Sequence, residues 1–126
     1  MNQIKPIKKL PELDWSNQAQ KEIVITGEDL LDQSTFAWEV GGILVVGFIY
    51  TSLLAPPWMW FALAKGVTIR HLVDFRRLVD YIPLGTTTAI ESEFKEGIRF
   101  AKLYKFEDTG ETRDYGGLHY KIFRRV

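Results

Sequence analysis

One stretch constrains this chain more than any other: 25 residues without a charge, Val40 to Ala64, bounded by Glu39 and Lys65. A bilayer core about 30 Å thick needs about 20 mostly apolar residues in a helix rising about 1.5 Å per residue. Phe36 to Ala55 has that length and predicts a single transmembrane helix. The competing assignment is a buried helix of a globular domain. That helix would need apolar elements on every side, and a chain of 126 residues offers few. The mean hydropathy of −0.08 averages polar flanks with this run and describes neither.

The residues around the run refine this reading. Pro56-Pro57 ends the helix, because neither proline donates an amide hydrogen and the second disfavours helical backbone at the first. Trp58 and Trp60 then read as an interfacial aromatic belt. Gly47, Thr51 and Ala55 recur every four residues, and Ala37 with Gly41 repeats the spacing. Small residues so placed let membrane helices approach closely, so Gly47, Thr51 and Ala55 are the expected packing face toward a partner helix. Val24 to Glu39 holds no Lys or Arg, whereas Lys65 to Asp80 holds Lys65, Arg70, Arg76 and Arg77. The flanks carry net charges of −3 and +3, and the positive-inside rule puts the C-terminus on the cytoplasmic or equivalent side. The run begins some 40 residues in and its apolar part exceeds a signal-peptide core, so the address is expected to lie in the membrane segment itself.

The expected organisation is a mainly α membrane protein in four parts: a polar tail over residues 1–35, the membrane helix over 36–55, an interfacial and amphipathic helix over 56–82, and a C-terminal region over 83–126. In the third part Phe61, Ala64, Leu72, Phe75, Val79 and Ile82 fall at helical spacing, with Arg70, Arg76 and Arg77 on the other face. Anionic lipid is a candidate partner of that basic face. In the fourth part Thr88-x-x-Glu91 matches a capping box, which predicts a helix from Ala89 with Ile90, Phe94, Ile98 and Ala101 inward. Past Arg99 the pattern also fits alternation, with turns at Asp108-Thr109-Gly110 and Gly116-Gly117 and a last strand over Leu118 to Arg125. Neither flank has a convincing core of its own.

The chemistry visible in the sequence is sparse. With no Cys there is no disulfide, thiolate nucleophile or Cys-ligated metal. A formal net charge of zero argues against a nucleic-acid partner. His71 and His119 lie outside the run and read as surface residues, and Glu39 reads as a solvated carboxylate at its rim. No phosphate loop, HExxH, nucleophile elbow or EF-hand pattern occurs. No catalytic residue, cofactor, metal or small-molecule substrate is therefore expected. Two flanks that cannot offset their conformational entropy alone should order against other chains. The expected function is accordingly that of a single-pass accessory subunit stabilising a large membrane complex. A respiratory complex of the mitochondrial inner membrane is the first host considered. The alternatives are a photosynthetic or bacterial energy-converting complex, and a membrane-tethered assembly factor or adaptor.

Overall fold

In the computed structural model the uncharged run folds back on itself as two adjacent strands. The structure describes residues 4–22, 28–52, 54–68, 70–71 and 76–126; the side chains of residues 21, 22, 28, 29 and 77 lie outside that description. The strands are β1 (Ile4–Pro6), β2 (Phe36–Val40), β3 (Leu44–Ile49), β4 (Trp58–Leu63), β5 (Thr87–Glu91), β6 (Phe106–Tyr115) and β7 (Leu118–Arg125). Among the described residues the named helices are α1 (Asn17–Glu22), α2 (Glu28–Gln33) and α3 (Lys95–Leu103), with a 3-10 helix over Arg76–Tyr81, and Arg70 and His71 are also helical. All seven strands join one mixed sheet in the order β1-β2-β3-β4-β5-β7-β6. Every pairing is antiparallel except that of β4 with β5.

Two breaks inside the run cause this. Gly41 and Gly42 both have positive φ, 57° and 74°, and Ile43 N–H donates to Val40 C=O at 3.1 Å. That is the backbone a tight reversal between twisted strands requires, and glycine reaches it without steric penalty. Pro56-Pro57 then closes the far end of the loop leading into β4. Between those breaks lie Ile43 to Ala55, too few residues to cross a bilayer as a helix.

The run lacks charge because β3 and β4 are central strands covered on both faces. Successive side chains of a strand point to opposite faces. Leu44, Val46 and Phe48 therefore face one layer and Val45 and Gly47 the other, and none of the four apolar side chains in Leu44–Val46 and Phe48 is more than 1% exposed. On the first face they meet Met59, Phe61 and Leu63 of β4, Leu78 and Ile82 around the 3-10 helix, and Phe100, Ala101 and Tyr104 of α3 and its end. Phe61 packs on Phe100 at 4.4 Å between ring centroids, and Phe100 meets Tyr104 edge-on at 4.7 Å. Tyr104 is fully buried there, and burial pushes its hydroxyl above the ordinary tyrosine value. Trp60, the neighbour of Phe61, points to the opposite face and reaches Ser34 beyond α2. The helices thus flank the sheet on both sides, an α/β sandwich.

This architecture corrects the expected fold. Residues 36–55 form β2, a turn and β3, and among the described residues no helix is long and apolar enough to cross a membrane. The bilayer placement, its orientation and the mitochondrial inner membrane lose their basis with that helix. Of the amphipathic helix expected over 56–82, Trp58–Leu63 is instead β4, Arg70 and His71 are helical and Arg76–Tyr81 is a short 3-10 helix, while its Leu72 and Phe75 lie outside the described residues. The helix expected from Ala89 begins at Lys95, because Thr87–Glu91 is drawn into the sheet between β4 and β7. β7 occupies Leu118–Arg125, the stretch read as a last strand. Its hairpin with β6 turns at Gly116-Gly117, while Asp108 to Thr112 carries a register shift within β6.

Candidate active site

The parallel pair β4 and β5 is a wedge. Its register covers two steps, Trp58 with Thr87 and Met59 with Thr88. Thr87 N–H donates to Pro57 C=O at 3.1 Å, and the buried Thr88 hydroxyl donates to Met59 C=O at 2.8 Å. Beyond this point the strands take other partners. The end of β4 is engaged by the segment before α1: Ser16 N–H donates to Leu63 C=O at 2.9 Å, and Lys65 N–H to Asp14 C=O. Ser16 also caps α1, its Oγ accepting from Ala19 N–H at 3.2 Å. β5 stays with β7 to Glu91, and Ser92 N–H donates to His119 C=O at 2.9 Å. The strands are pulled apart from that point on.

The wedge encloses a cleft of about 310 Å³. Ala64 N–H donates to Ile43 C=O on the β3 side. By the alternation of an antiparallel ladder, the backbone groups of Met59, Phe61 and Leu63 then point the other way, toward β5. Those of Met59 and Leu63 accept the bonds just described. The N–H and C=O of Phe61 face the wedge, where the β4–β5 register has already ended.

The cleft walls are apolar and aromatic: Trp58, Trp60 and Ala89 on one face of the sheet, Phe61 and Phe94 on the other, with Leu30 of α2 at the margin. Of the lining residues Glu91 alone is ionisable, and it is 7% exposed at the wide end. Phe94 is shared with a second cavity of about 520 Å³ at the end of β4, around Lys65 and Gly66. Lys65 lies 3.9 Å from Asp14, and Glu93 and Glu96 face the same basin, so no net positive wall forms there.

The residues singled out from sequence are distributed unevenly over this site. Gly47 lies in β3 directly opposite Trp60, and Trp58 and Trp60 both line the cleft. Thr51 and Ala55 are exposed in the loop between β3 and β4 and share no face with Gly47. Arg70 and Arg76 are exposed away from the lining, and the side chain of Arg77 is outside the described residues. Glu39 pairs with Lys5 and Val45 within the sheet. His71 Nδ1 lies 3.1 Å from Thr68 Oγ1, and His119 Nδ1 lies 2.6 Å from Asp114 Oδ1. Among the described residues no cluster suited to a metal is present. Sequence reasoning missed Phe61, Ala89 and Glu91 as site residues. The alternation in Thr87-Thr88-Ala89-Ile90-Glu91 was the available signal, and the capping-box reading of the same residues concealed it.

No family model matches the chain, and no curated protein matches it in sequence. Solved structures do. A spermidine N-acetyltransferase SpeG chimera from Vibrio cholerae and hSSAT is similar with a TM-score of 0.61 at 10% identity, over 99% of this chain and 95% of that one. An IAA acetyltransferase from Bacillus cereus ATCC 14579 gives 0.60 at 12% identity, over 99% of each chain. A structure assigned as a phosphinothricin N-acetyltransferase gives 0.61 at 11% identity, over 99% and 98%. These neighbours overturn the expectation of an accessory subunit without catalysis or a small-molecule substrate, since none of them is a membrane-complex subunit. Over nearly its whole length the chain shares the fold of these acetyltransferases.

Proposed function

We propose that the protein is an N-acyltransferase, moving an acyl group from a thioester donor such as acetyl-CoA to an amine. The observation that carries this reading is the wedge between β4 and β5, with the backbone edge of Phe61 turned into it. An extended, amide-bearing arm can add to such an edge as a short strand, its amides bonding to Phe61 N–H and C=O. The cavity suits the thin acyl-thioester end of a donor rather than its phosphates, given the mixed charges of the basin around Lys65.

In the reaction the amine nitrogen attacks the thioester carbonyl. A C–N bond forms, the C–S bond breaks, and the thiol leaves with a proton. Walls of Trp58, Trp60, Phe61 and Phe94 exclude water, which would otherwise compete as acceptor. Glu91, the ionisable residue of the lining, lies at the wide end where the amine would enter, and the proton that the amine releases leaves with the thiol. The N-acetyltransferases that share the fold support the same class of reaction.

The test is amine-dependent release of free thiol from acetyl-CoA, with calorimetric titration of the donor. Ala89 is exposed on the cleft wall, so Ala89→Trp fills the cavity without entering the core. It should lower donor affinity by at least tenfold while leaving thermal unfolding unchanged. Absence of donor binding at millimolar concentration, together with no thiol release from any of a broad panel of amines, would refute the reading.

A further inference from the structure

Resting on that reading, the charges at the mouth of the wedge point to the class of donor. The Thr88 hydroxyl on Met59 C=O closes the narrow end, so an arm bonded along the edge of Phe61 leaves at the wide end. Past Leu63 it enters the basin of about 520 Å³ that shares Phe94 with the cleft. The far end of a coenzyme A thioester, a nucleotide bearing a phosphate and a diphosphate, would have to be held there.

Two observations show a poor fit. The first is charge. Among the described lining residues the ionisable ones are Lys65, Glu93 and Glu96, one cation against two carboxylates. Lys65 Nζ is itself 3.9 Å from Asp14 Oδ1. Arg70 and Lys95 are exposed and outside the lining. The second is the backbone. A loop that cradles phosphate does so with successive free N–H groups. Of the amides from Lys65 to Thr68, the first donates to Asp14 C=O and the last to His71 Nδ1 at 3.2 Å. The remaining walls are uncharged, with Ser16 and Asn17 at the head of α1 beside Leu63, Ala64 and Val67.

We infer that the donor is a nucleotide-free acyl-pantetheine, a thioester on a neutral arm. The amides of that arm suit the edge of β4, and its far end meets the uncharged walls of the basin. The reaction is the one already described: the C–N bond forms, the C–S bond breaks, and the thiol of pantetheine leaves with the proton. A nucleotide in the basin is repelled by Glu93 and Glu96 instead, by an amount that salt screens.

The experiment compares S-acetylpantetheine and acetyl-CoA as donors to one amine, at about 10 mM and about 300 mM salt, across which the Debye length falls from about 30 Å to below about 8 Å. At low salt the short thioester should be used at least as efficiently as acetyl-CoA in kcat/KM. Raising the salt should increase the value for acetyl-CoA severalfold and hardly move that for the neutral thioester. Because the chain has a formal net charge of zero, the sign of this response reports the basin. Glu93→Gln combined with Glu96→Gln should move the preference severalfold toward acetyl-CoA. A wild-type preference for acetyl-CoA beyond experimental error, a fall in its kcat/KM with salt, or an unchanged preference in the double variant would overturn the inference. If neither thioester acylates any amine of a broad panel, the acyltransferase reading is what fails. Calorimetric titration then decides the basin alone: pantetheine binding at least as tightly as coenzyme A sustains the inference, and tighter binding of coenzyme A, or binding of neither, overturns it.

Discussion

Trp60 lies across the backbone of Gly47, its cross-strand partner, and donates its indole N–H to Ser34 Oγ at 2.7 Å. A Cβ on Gly47 would stand 2.2 Å from Cε2 and Nε1 of the Trp60 ring. Glycine is thus what allows an indole to lie flat enough on β3 to wall the cleft and still reach α2. Ser34 Oγ in turn bonds Leu30 C=O at 2.6 Å, tying the helix end to the sheet.

The first prediction follows directly. Gly47→Ala should cost about 3 kcal/mol, the upper end of the usual cost of overpacking. Gly42→Ala is the control. It meets nothing within 4 Å and should cost only about 1 kcal/mol for a side chain at a φ of 74°. In a Trp60→Leu background the penalty of Gly47→Ala should shrink by more than about 1 kcal/mol, a coupling that a double-mutant cycle in urea measures directly. Additive penalties would refute the contact.

Thr88 closes the narrow end of the wedge through its bond to Met59 C=O. Thr88→Val keeps the shape and removes the donor, leaving a buried carbonyl short of a partner. The expected loss is about 1 kcal/mol of stability, with faster hydrogen exchange at the amides of Thr87 and Met59. An unchanged exchange rate there would mean that the pairing holds without the hydroxyl.

Gly97 presents a test with opposed terms. Alanine is the better helix former by about 1 kcal/mol in a helix interior. A Cβ at Gly97, however, would stand 2.5 Å from the Phe94 ring and 3.2 Å from Ile90 Cγ2. Packing should win, so Gly97→Ala is expected to lower the urea midpoint. By displacing Phe94 from the cleft wall it should also weaken donor binding several-fold in calorimetric titration.

Tyr104 sets an alkaline limit. Its folded-state ionisation is pushed above the ordinary value of 10.0 by burial. Below about pH 10 both states hold the proton and stability does not depend on this group. As pH rises further the unfolded chain loses the proton while the folded one keeps it, so stability falls. Tyr104→Phe should remove that component and flatten the decline of chemical-denaturation midpoints between pH 10 and 11. An equally steep decline in the variant would place the alkaline sensitivity elsewhere.

The amino-acid sequence by itself determined where charge is absent, where the chain must reverse and where it alternates. Glu39 and Lys65 bound a segment that carries no charge, and Leu118 to Arg125 alternates as a strand. What kind of solvent replaces water around Val40 to Ala64 was a tertiary question. A lipid-facing helix and two central strands covered on both faces both demand apolar residues at every position, so hydropathy cannot separate them. Gly41-Gly42 and Pro56-Pro57 did carry the distinction, as a hairpin reversal and a loop end, but only once β2 and β5 stood on either side to receive the new strands. The same holds for the site. Trp58, Phe61 and Glu91 lie on two strands and span 34 positions of the chain. No local pattern joins them. The parallel pairing brings β5 beside β4, and the competition of Ser16 and His119 for the ends of β4 and β5 opens the wedge between them.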